Sequence, residues 1–326
     1  MDHAKQESRS LIMCTTPLQM LIAEKIIHLS GNEHFDLVVL ALNDNQKYRY
    51  YYNRLKEICD NSFYYIPRAG LTGFLYFLKH LKKSNINKNY NNLYLASIDA
   101  RHFQYIISKN NLANVFTFDD GTANIIPSSI YYSNSTEPSK LKKIIWRSLG
   151  VKYYIEDIKV KSKKHYTIYR DAPNIINKLK FIALLPQLEL NEKKISNDKT
   201  VKFYLGQPLS DIEEKFDHNF VEEKLKRIEI DYYFPHPREI EYPKGNFETV
   251  DSILIFEDFI ITYLVENPEV KIEVYSFISS ALLNVSSLLK VQCIYLYNDD
   301  FMMRYKDFYF FSKSKFNIKL KNVESI

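Results

Sequence analysis

The chain has 326 residues, which is too many for one small hydrophobic core and about enough for two domains of roughly 150 residues each. Hydrophobic residues make up 46% of the chain and charged residues 25%, and this composition excludes an intrinsically disordered protein. The net charge of +5 is too small for a nucleic-acid-binding protein, but it suits an anionic substrate or an anionic membrane surface.

In the first part of the chain, short apolar segments alternate with amphipathic ones, which predicts a parallel sheet covered by helices. Strands are predicted at residues 11–15, 35–42, 62–66, 93–97 and 114–118. Helices are predicted between them at residues 17–28, 47–59 and 70–82. Pro17 suits the first turn of its helix, where a backbone N–H is not needed.

From about residue 132 to residue 200 the pattern is unclear, and we interpret residues 156–200 as closing helices and a linker. They would join an N-terminal domain of residues 1–155 to a C-terminal domain of residues 201–326. The second domain has predicted strands at 201–205, 228–234, 270–275 and 291–296, and predicted helices at 210–227, 253–264 and 279–288. The predicted fold class is therefore α/β, with two Rossmann-like, doubly wound domains facing across a cleft. Ligands of such sheets bind at the carboxyl ends of the strands.

The three cysteines Cys14, Cys59 and Cys293 have no metal-ligand spacing, and their odd number argues against a disulfide framework. A reducing, cytoplasmic location is expected. The polar start of the chain lacks the apolar segment of a secretory signal, and no apolar run is long enough to span a bilayer. Lysine runs at 140–143 and 159–164 are interpreted as solvated loops or as a contact with a membrane surface or a polyanionic glycan.

The loop after the strand predicted at 228–234 contains His236 between Pro235 and Pro237, followed by Arg238. The prolines fix φ and remove backbone donors, so the loop is expected to hold its side chains in place. His236 is suited to neutralise a departing phosphate or to give it a proton. Arg238 is either a phosphate or carboxylate ligand or the partner of a surface ion pair with Glu239 or Glu241.

Other candidates also follow predicted strands. Gly206 allows a tight turn or a close approach to a ligand, and Asp211 either stabilises a helix that starts at Ser210 or acts as a general base. Glu257 either bridges two ribose hydroxyls or complements a helix dipole.

The serines Ser276, Ser279 and Ser280 follow the strand at 270–275. With the N–H groups of a helix start, they either bind a phosphate without a metal or form an ordinary helix cap.

In the N-terminal half, Asp119, Asp120 and Gly121 follow the strand at 114–118. The two acids are expected to position or deprotonate a sugar hydroxyl or to bind a metal, unless one of them caps the next turn. Thr16 and Gln19, in the loop after the first strand, are interpreted mostly as a helix start.

The sequence lacks a Gly-x-Gly-x-x-Gly or Walker loop, a Cys/His metal cluster and a Gly-x-Ser-x-Gly elbow. The sequence therefore carries none of the signatures that are typical of dehydrogenases, kinases, zinc enzymes and serine hydrolases.

Taken together, these loops resemble the bacterial sialyltransferases of glycosyltransferase family 52, which decorate lipooligosaccharide or capsule. The resemblance extends over nearly the whole chain. It is carried by residues 14–20 (CTTPLQM), 45–53 (NQKYRYYYN), 93–97 (LYLAS), 117–122 (TFDDGT), 165–168 (HYTI), 235–238 (PHPR), 257–258 (ED) and 275–282 (YSFISSAL).

The resemblance implies a GT-B fold, CMP-sialic acid as donor, no required metal or cofactor, and inversion at the anomeric carbon. The acceptor would be a galactose-terminated glycan, joined by an α2,3 linkage, and a homodimer peripheral to the inner membrane is compatible with the resemblance. By motif position His236 assists CMP departure, and the base is Asp211 or, as in a related sialyltransferase family, Asp119. The implied donor-binding residues are Gly206, Pro237, Arg238, Glu257, Ser276, Ser279 and Ser280, and the acceptor-side residues are Thr16, Gln19, Asp120 and Gly121. Two alternatives stay open: a glycosyltransferase with another nucleotide sugar, and a catalytically inactive module that binds glycan or nucleotide.

Overall fold

The computed structural model of the protein describes residues 8–325, apart from residues 32, 87, 134–137, 185–198 and 240. The chain forms two compact units, Met1–Leu184 and Leu185–Ile326. Within the described residues each unit is built on one sheet, and every pair of neighbouring strands in both sheets is parallel. No helix in the described part of the chain combines the length and the apolar character that a membrane span requires.

The first sheet has seven strands. They are β1 (Arg9–Cys14), β2 (His34–Leu40), β3 (Asn61–Tyr65), β4 (Asn92–Leu95), β5 (Asn114–Phe118), β6 (Ser162–Thr167) and β7 (Leu179–Phe181). Their spatial order is β3-β2-β1-β4-β5-β6-β7. In β2 every residue after His34 is buried, as expected for a parallel strand that is covered on both faces.

The helices of the first unit connect these strands. They are α1 (Pro17–Leu29), α2 (Gln46–Lys56), α3 (Gly70–Lys83), α4 (Arg101–Lys109), α5 (Lys140–Ser148) and α6 (Ile155–Lys161). The predicted helix start at Pro17 is confirmed, because Thr16 caps the helix with a side chain that accepts from the N–H of Gln19.

The first sheet continues past residue 155, where we expected the first domain to end. Residues that we interpreted as closing helices and linker contain α6, β6 and β7, and the last two form the edge of the first sheet. The pattern of β6 misleads because its inward side chains include Ser162, His165 and Thr167 rather than apolar residues. Residues 185–198 of the expected linker lie outside the described residues.

The second unit repeats the arrangement with six strands. They are β8 (Thr200–Leu205), β9 (Tyr232–Phe234), β10 (Glu248–Thr249), β11 (Lys271–Ser276), β12 (Val291–Tyr297) and β13 (Lys319–Asn322). Their order, β10-β9-β8-β11-β12-β13, matches that of the first six strands of the other sheet. In both sheets the direction of winding reverses beside the first strand, which is where doubly wound folds bind ligands. The two parallel sheets confirm the predicted α/β class with two Rossmann-like units.

The helices of the second unit are α7 (His218–Ile228), α8 (Phe256–Glu266), α9 (Ala281–Val285) and α10 (Asp299–Phe316). The helix that we predicted from Ser210 is wrong in its start: residues Leu209–Asp211 form a 3₁₀ turn, and α7 begins only at His218. Asp217 is the N-cap of α7, and its carboxylate accepts from the N–H of Phe220 at 2.9 Å. Ser210 is thus not the start of this helix, because Asp217 supplies its N-cap.

Two of the three cysteines are buried. Cys14 in β1 and Cys293 in β12 are buried free cysteines, and burial raises the pKa of each thiol well above its ordinary value. Cys59 is half-buried and also free, and burial raises the pKa of its thiol to about 12.

The start of α7 can be tested by substitution. We expect Asp217→Ala to lower the melting temperature of the second unit by about 2–4 °C, because two N–H groups of the first turn lose their acceptor. Ser210→Ala should leave it unchanged, since exposed Ser210 lies outside the helix. Calorimetry of both variants is the measurement, and a larger loss for Ser210→Ala would contradict the observed helix start.

Candidate active site

The His-Pro loop after β9 is closed by the carboxylate of Glu239. One carboxylate oxygen accepts from the hydroxyl of Tyr233 at 2.6 Å, and the other accepts from the N–H of His236 at 2.7 Å. The N–H of Glu239 donates in turn to the carbonyl of His236 at 3.0 Å. Burial raises the pKa of Glu239, and the bonds that it accepts oppose that shift. The loop is therefore held by a carboxylate that belongs to the loop itself.

The ring of His236 has a defined tautomer. Its Nδ1 accepts from the N–H of Arg238 at 3.2 Å, so the proton of the neutral ring is on Nε2. Burial, and then the charge of Arg238, lower the pKa of His236 to about 4, while Asp211 acts in the opposite direction. At neutral pH His236 is thus an uncharged donor in the free protein. The hydrogen bond from the N–H of Arg238 does not involve its Nε2–H.

Asp211 and Arg238 form an ion pair at 3.3 Å, and both side chains are exposed. Asp211 ends the 3₁₀ turn after β8, while Arg238 follows β9, so two neighbouring strand ends bring these groups together. The ion pair of Arg238 is made with Asp211, not with Glu239 or Glu241 as one interpretation of the sequence suggested. The structure therefore gathers Asp211, His236 and Arg238, three residues that the sequence analysis selected separately.

A cavity of about 310 Å³ lies beside this group. It lies wholly within the second unit, and its polar walls combine both charge signs. The residues that line it are Gln207, Pro208, Leu209, Ser210, Asp211, Phe216, Asp217, His218, Val221, Arg238, Glu239, Glu241 and Pro243.

Gly206 is needed for a contact inside the protein. A Cβ at this position would collide with the carboxylate of Glu239 and with the hydroxyl of Tyr233. The N–H of Gly206 also donates to the carbonyl of Phe234 at 2.9 Å, which joins the two loops. The close approach at this glycine is to the side chain that closes the His-Pro loop, and an approach to a ligand stays a prediction.

Gln207 joins the loop after β8 to the end of β11. Its Oε1 lies 2.9 Å from the hydroxyl of Ser276 and accepts from the N–H of Ile278 at 2.9 Å. Ser276 is fully buried, and its hydroxyl also lies 3.0 Å from the carbonyl of Leu205. Ser276 therefore uses its hydroxyl within the protein.

Ser279 and Ser280 precede α9, which has only five residues rather than the ten predicted from 279 to 288. Such a short helix has a small dipole, so the anion site that we expected at its start has weaker support than the sequence indicated. The Ser279 hydroxyl accepts from the N–H of Ala281 at 3.3 Å, and Ser280 is exposed.

Glu257 lies in the first turn of α8, as predicted, but it is buried. Its Oε1 accepts from the side-chain amide of Asn284 in α9 at 2.7 Å. A contact with ribose hydroxyls stays a prediction for this residue, and the observed contact joins two helices.

In the first unit, Asp119 is fully buried at the end of β5. Its carboxylate accepts from His165 Nε2 at 2.8 Å, from the N–H of Ile168 at 2.7 Å and from the amide of Asn174 at 3.2 Å. His165 Nδ1 lies 2.8 Å from the hydroxyl of Thr117. This carboxylate thus ties β5 to β6 and to the chain that follows β6.

Asp120, the next residue, has a different environment. It is half-buried and accepts from the hydroxyl of Tyr131 at 2.6 Å, from that of Ser97 at 3.2 Å and from the amide of Gln19. Burial raises the pKa of Asp120, a shift reinforced by Asp99 and opposed by these hydrogen bonds. A half-buried carboxylate with a raised pKa is suited to accept a proton near neutral pH.

The remaining acceptor-side candidates support Asp120. Gln19 is fully buried, and its Oε1 accepts from the N–H of Thr15 at 2.6 Å while its Nε2 donates to Ser97 at 3.0 Å. Thr16 acts as the cap of α1, and Gly121 has a φ of +56°, which favours glycine. These residues shape the loops around Asp120.

Sequence reasoning did not select several residues that hold the site, although Glu239 was considered as an ion-pair partner of Arg238 and His165 lies in a motif of the family resemblance. Gln207 follows Gly206 and Glu239 follows Arg238. This proximity to selected residues was the only local signal for them. Tyr131 and His165 are distant in sequence from the acids that they contact, so no local pattern relates them. In the described part of the chain, no group of three or more His, Cys, Asp or Glu side chains is placed to hold a metal ion.

Known proteins resemble this chain over most of its length. The model of glycosyltransferase family 52 matches residues 32–299. A Pasteurella multocida (strain Pm70) CMP-N-acetylneuraminate:beta-galactoside alpha-2,3-sialyltransferase is 34% identical over 277 residues, which are 85% of this chain and 87% of that protein. N-acetyllactosaminide alpha-2,3-sialyltransferases of Haemophilus influenzae (KW20 / Rd) and Neisseria meningitidis (Z2491) are 34% and 30% identical, over 85% and 87% of this chain and 88% and 77% of theirs.

Among solved structures, Acinetobacter baumannii MurG matches with a TM-score of 0.48 and 9% identity, covering 98% of this chain and 87% of that one. UDP-GlcNAc 2-epimerase from Neisseria meningitidis matches with a TM-score of 0.47 and 9% identity, covering 88% and 82%. Because both TM-scores and both identities are low, the fold is assigned from the two sheets of this chain.

The sheets and the match to the family model define the protein as a glycosyltransferase. The chain belongs to glycosyltransferase family 52, as its motifs led us to expect.

The role of Asp119 can be tested through stability. We expect Asp119→Asn to lower the free energy of unfolding of the first unit by about 3 kcal/mol, because the NH2 group that replaces one carboxylate oxygen would face at least one of these donors inside the protein. Trp146, the one tryptophan, lies in that unit, so its fluorescence during urea unfolding is the measurement.

Asp120→Asn is the matched control. Two of its three partners are hydroxyls, which can accept as well as donate, so we expect a smaller loss of stability. If Asp119→Asn unfolded like the parent protein and still lost transfer, the carboxylate would act in catalysis and the structural role would be refuted.

Proposed function

We propose that this protein is an inverting sialyltransferase that moves sialic acid from CMP-sialic acid to a terminal β-galactoside of a lipooligosaccharide or capsular glycan, forming an α2,3 linkage. The names of the relatives support the donor, the acceptor and the linkage. The observation that carries the chemistry is the proximity of Asp211, His236 and Arg238, of which Asp211 and Arg238 line a cavity with both polar and apolar walls.

In the proposed reaction, the bond between the anomeric carbon and the phosphate oxygen of CMP breaks, and a bond from the acceptor hydroxyl oxygen forms on the opposite face. The electron pair of the broken bond leaves with the phosphate. His236 offers its Nε2–H to that phosphate, and Arg238 offers a planar fork of donors. Two such groups support transfer without a metal or other cofactor.

The proton of the acceptor hydroxyl goes to a carboxylate. We favour Asp211 for this role, because it is exposed and lies near His236, whereas Asp119 has its oxygens occupied by three donors. Asp120 holds the acceptor-side loop in this proposal, with Thr16, Gln19 and Gly121 positioning its surroundings. Gly206 and Pro237 shape the donor side. The other proposed donor-binding residues are Glu257, Ser276, Ser279 and Ser280. Homodimer formation, which the family resemblance implies, stays a prediction.

The direct test is incubation of the protein with CMP-sialic acid and a panel of galactosides in the presence of a chelator. We expect sialylated product, and we expect His236→Ala and Asp211→Asn each to lower turnover about 10²–10³-fold while CMP affinity changes less than about tenfold. His28→Ala, a substitution of an exposed histidine on α1, is the control and should keep the parent rate.

Three outcomes would overturn parts of this proposal. Thermal stabilisation by UDP but not by CMP would replace the donor, and loss of transfer with chelator would show that a metal is needed. Parent turnover in His236→Ala would remove this residue from the reaction.

The pKa of His236 predicts how CMP binding depends on pH. A bound phosphate raises the pKa of the ring above its free value of about 4, so binding is coupled to proton uptake. The added affinity is complete below the free pKa and is lost as pH rises through the pKa of the complex. We therefore expect CMP affinity to increase as pH falls from 7.5 to 5.

Calorimetric titrations in buffers of different ionisation enthalpy measure this proton uptake. His236→Asn is the control, because it retains the titration of the CMP phosphate itself. Equal proton uptake by the parent protein and by this variant would show that His236 takes up no proton when the phosphate binds, and would refute this pH dependence.

A further inference from the structure

A second cavity, of about 720 Å³, lies next to the one that Asp211 and Arg238 line. His218, Glu241 and Pro243 belong to the walls of both cavities, and both lie wholly within the second unit. We call the larger one the outer cavity. Its volume is within the range of about 300–1,000 Å³ that small-ligand sites occupy. A molecule bound beside Asp211 can therefore extend into the outer cavity without leaving the second unit.

Part of the wall of the outer cavity is aromatic. Tyr242 is 42% exposed and lines it together with Phe247, whose ring stacks on that of Tyr233 with 5.8 Å between the centroids. Gly245 also lines it and lies so close to Phe247 that a Cβ would collide with the ring. The hydroxyl of Tyr233 donates to the carboxylate of Glu239 at 2.6 Å. The aromatic wall is therefore fixed to the His-Pro loop.

Two carboxylates supply much of the polar wall. Glu222 lies 3.0 Å from Nζ of Lys226 and accepts from the N–H of Lys244 at 3.1 Å, which fastens the loop before β10 to α7. Glu241 lies 3.3 Å from Nδ1 of His218, and its side chain is 73% exposed. A carboxylate has about four acceptor positions, so Glu241 has capacity for the hydroxyl groups of a ligand.

The charges in the wall of the outer cavity favour a neutral ligand. Glu222 and Glu241 line it with one lysine, Lys244, so a phosphate or a sugar carboxylate would meet more negative than positive charge. An aromatic face suits the C–H groups on one side of a sugar ring, and carboxylates accept from its hydroxyls. The lining therefore matches a neutral saccharide better than a nucleotide or an anionic sugar.

We propose that the outer cavity is a subsite for the neutral sugar residues that precede the terminal galactose of the acceptor. This inference rests on the proposed function, in which Asp211 takes the proton of the acceptor hydroxyl. With that hydroxyl at Asp211, the preceding sugars pass His218 and Glu241, and one of their rings lies against Tyr242. The subsite does not touch the reacting atoms, so it changes the affinity for the acceptor rather than the chemical step.

Acceptors of increasing length test this proposal. Transfer is measured with methyl β-galactoside, with N-acetyllactosamine and with a neutral tetrasaccharide that ends in β-galactose. For the parent protein we expect the acceptor KM to fall about tenfold from the shortest to the longest acceptor, while kcat changes less than about twofold. Tyr242→Ala and Glu241→Gln should each raise the KM of the tetrasaccharide about 3–10-fold and leave that of methyl β-galactoside within about twofold.

Tyr76→Ala is the matched control, because Tyr76 is a tyrosine of similar exposure, 48%, on α3 of the first unit. It should keep the parent KM for every acceptor. Tyr242→Phe retains the aromatic face and should keep the preference for the longer acceptors, so a folding defect of Tyr242→Ala would not hide the result. Melting temperatures of all variants are measured in parallel.

Equal KM values for short and long acceptors in the parent protein, or an unchanged preference in Tyr242→Ala, would overturn the proposal. A rise in the KM of CMP-sialic acid instead of the acceptor KM would also overturn it, because the cavity would then hold the donor. Failure of the proposed function is distinguishable, since no acceptor at all would be sialylated. Calorimetric binding of the tetrasaccharide then decides the subsite by itself: weaker binding by Tyr242→Ala would support it, and absent or equal binding would refute it.

Discussion

The carboxylate of Glu239 is the interaction on which the second-unit site depends. It binds the hydroxyl of Tyr233 on β9 and the N–H of His236, and it lies against Gly206 after β8. Because two prolines surround His236, few backbone donors remain in this loop, and Glu239 takes the N–H that is left next to the ring. The carbonyl of His236 and its Nδ1 are then bound from the following residues, which leaves Nε2 as the donor of the ring. The carboxylate of Glu239 thus sets the position of the histidine, and the N–H of Arg238 sets its tautomer.

The first unit uses carboxylates in a similar way, but it divides two roles between neighbours. Successive side chains at a strand end point to opposite sides, so Asp119 enters the sheet while Asp120 stays half-exposed. Asp119 joins β5 to β6 through His165, and Asp120 joins α1 to the segments after β4 and β5 through Gln19, Ser97 and Tyr131. Burial of a carboxylate is costly unless donors surround it, and both acids have three side-chain or backbone donors. The edge of the first sheet is rigid because these donors hold both carboxylates.

The sequence predicted the location of the candidate residues better than their contacts. Apolar periodicity indicated most strands, and parallel strands place the loops after them at one edge, so His236, Asp211 and Asp120 were found from pattern alone. The same method failed for β6, whose inward side chains are polar, and for the start of α7, where Asp217 rather than Ser210 caps the helix. Pairings such as Asp119 with His165 depend on the arrangement of strands that are distant in sequence, and no local pattern carries that information. The loss of the long helix expected after Ser279 has the same cause, because tertiary contacts decide where a short apolar segment stops.

The ion pair between Asp211 and Arg238 relates substrate binding to the proposed chemistry. An exposed pair of this kind contributes only about 0–1 kcal/mol to stability, so a bound phosphate can replace the carboxylate at the guanidinium at little cost. Asp211 would then be released from its partner and become a better proton acceptor. At the same time the negative phosphate would offset the charge of Arg238, which lowers the pKa of His236 in the free protein. A single event, entry of the donor phosphate, would therefore prepare both the base and the group that assists departure, and it would do so only when the donor is present.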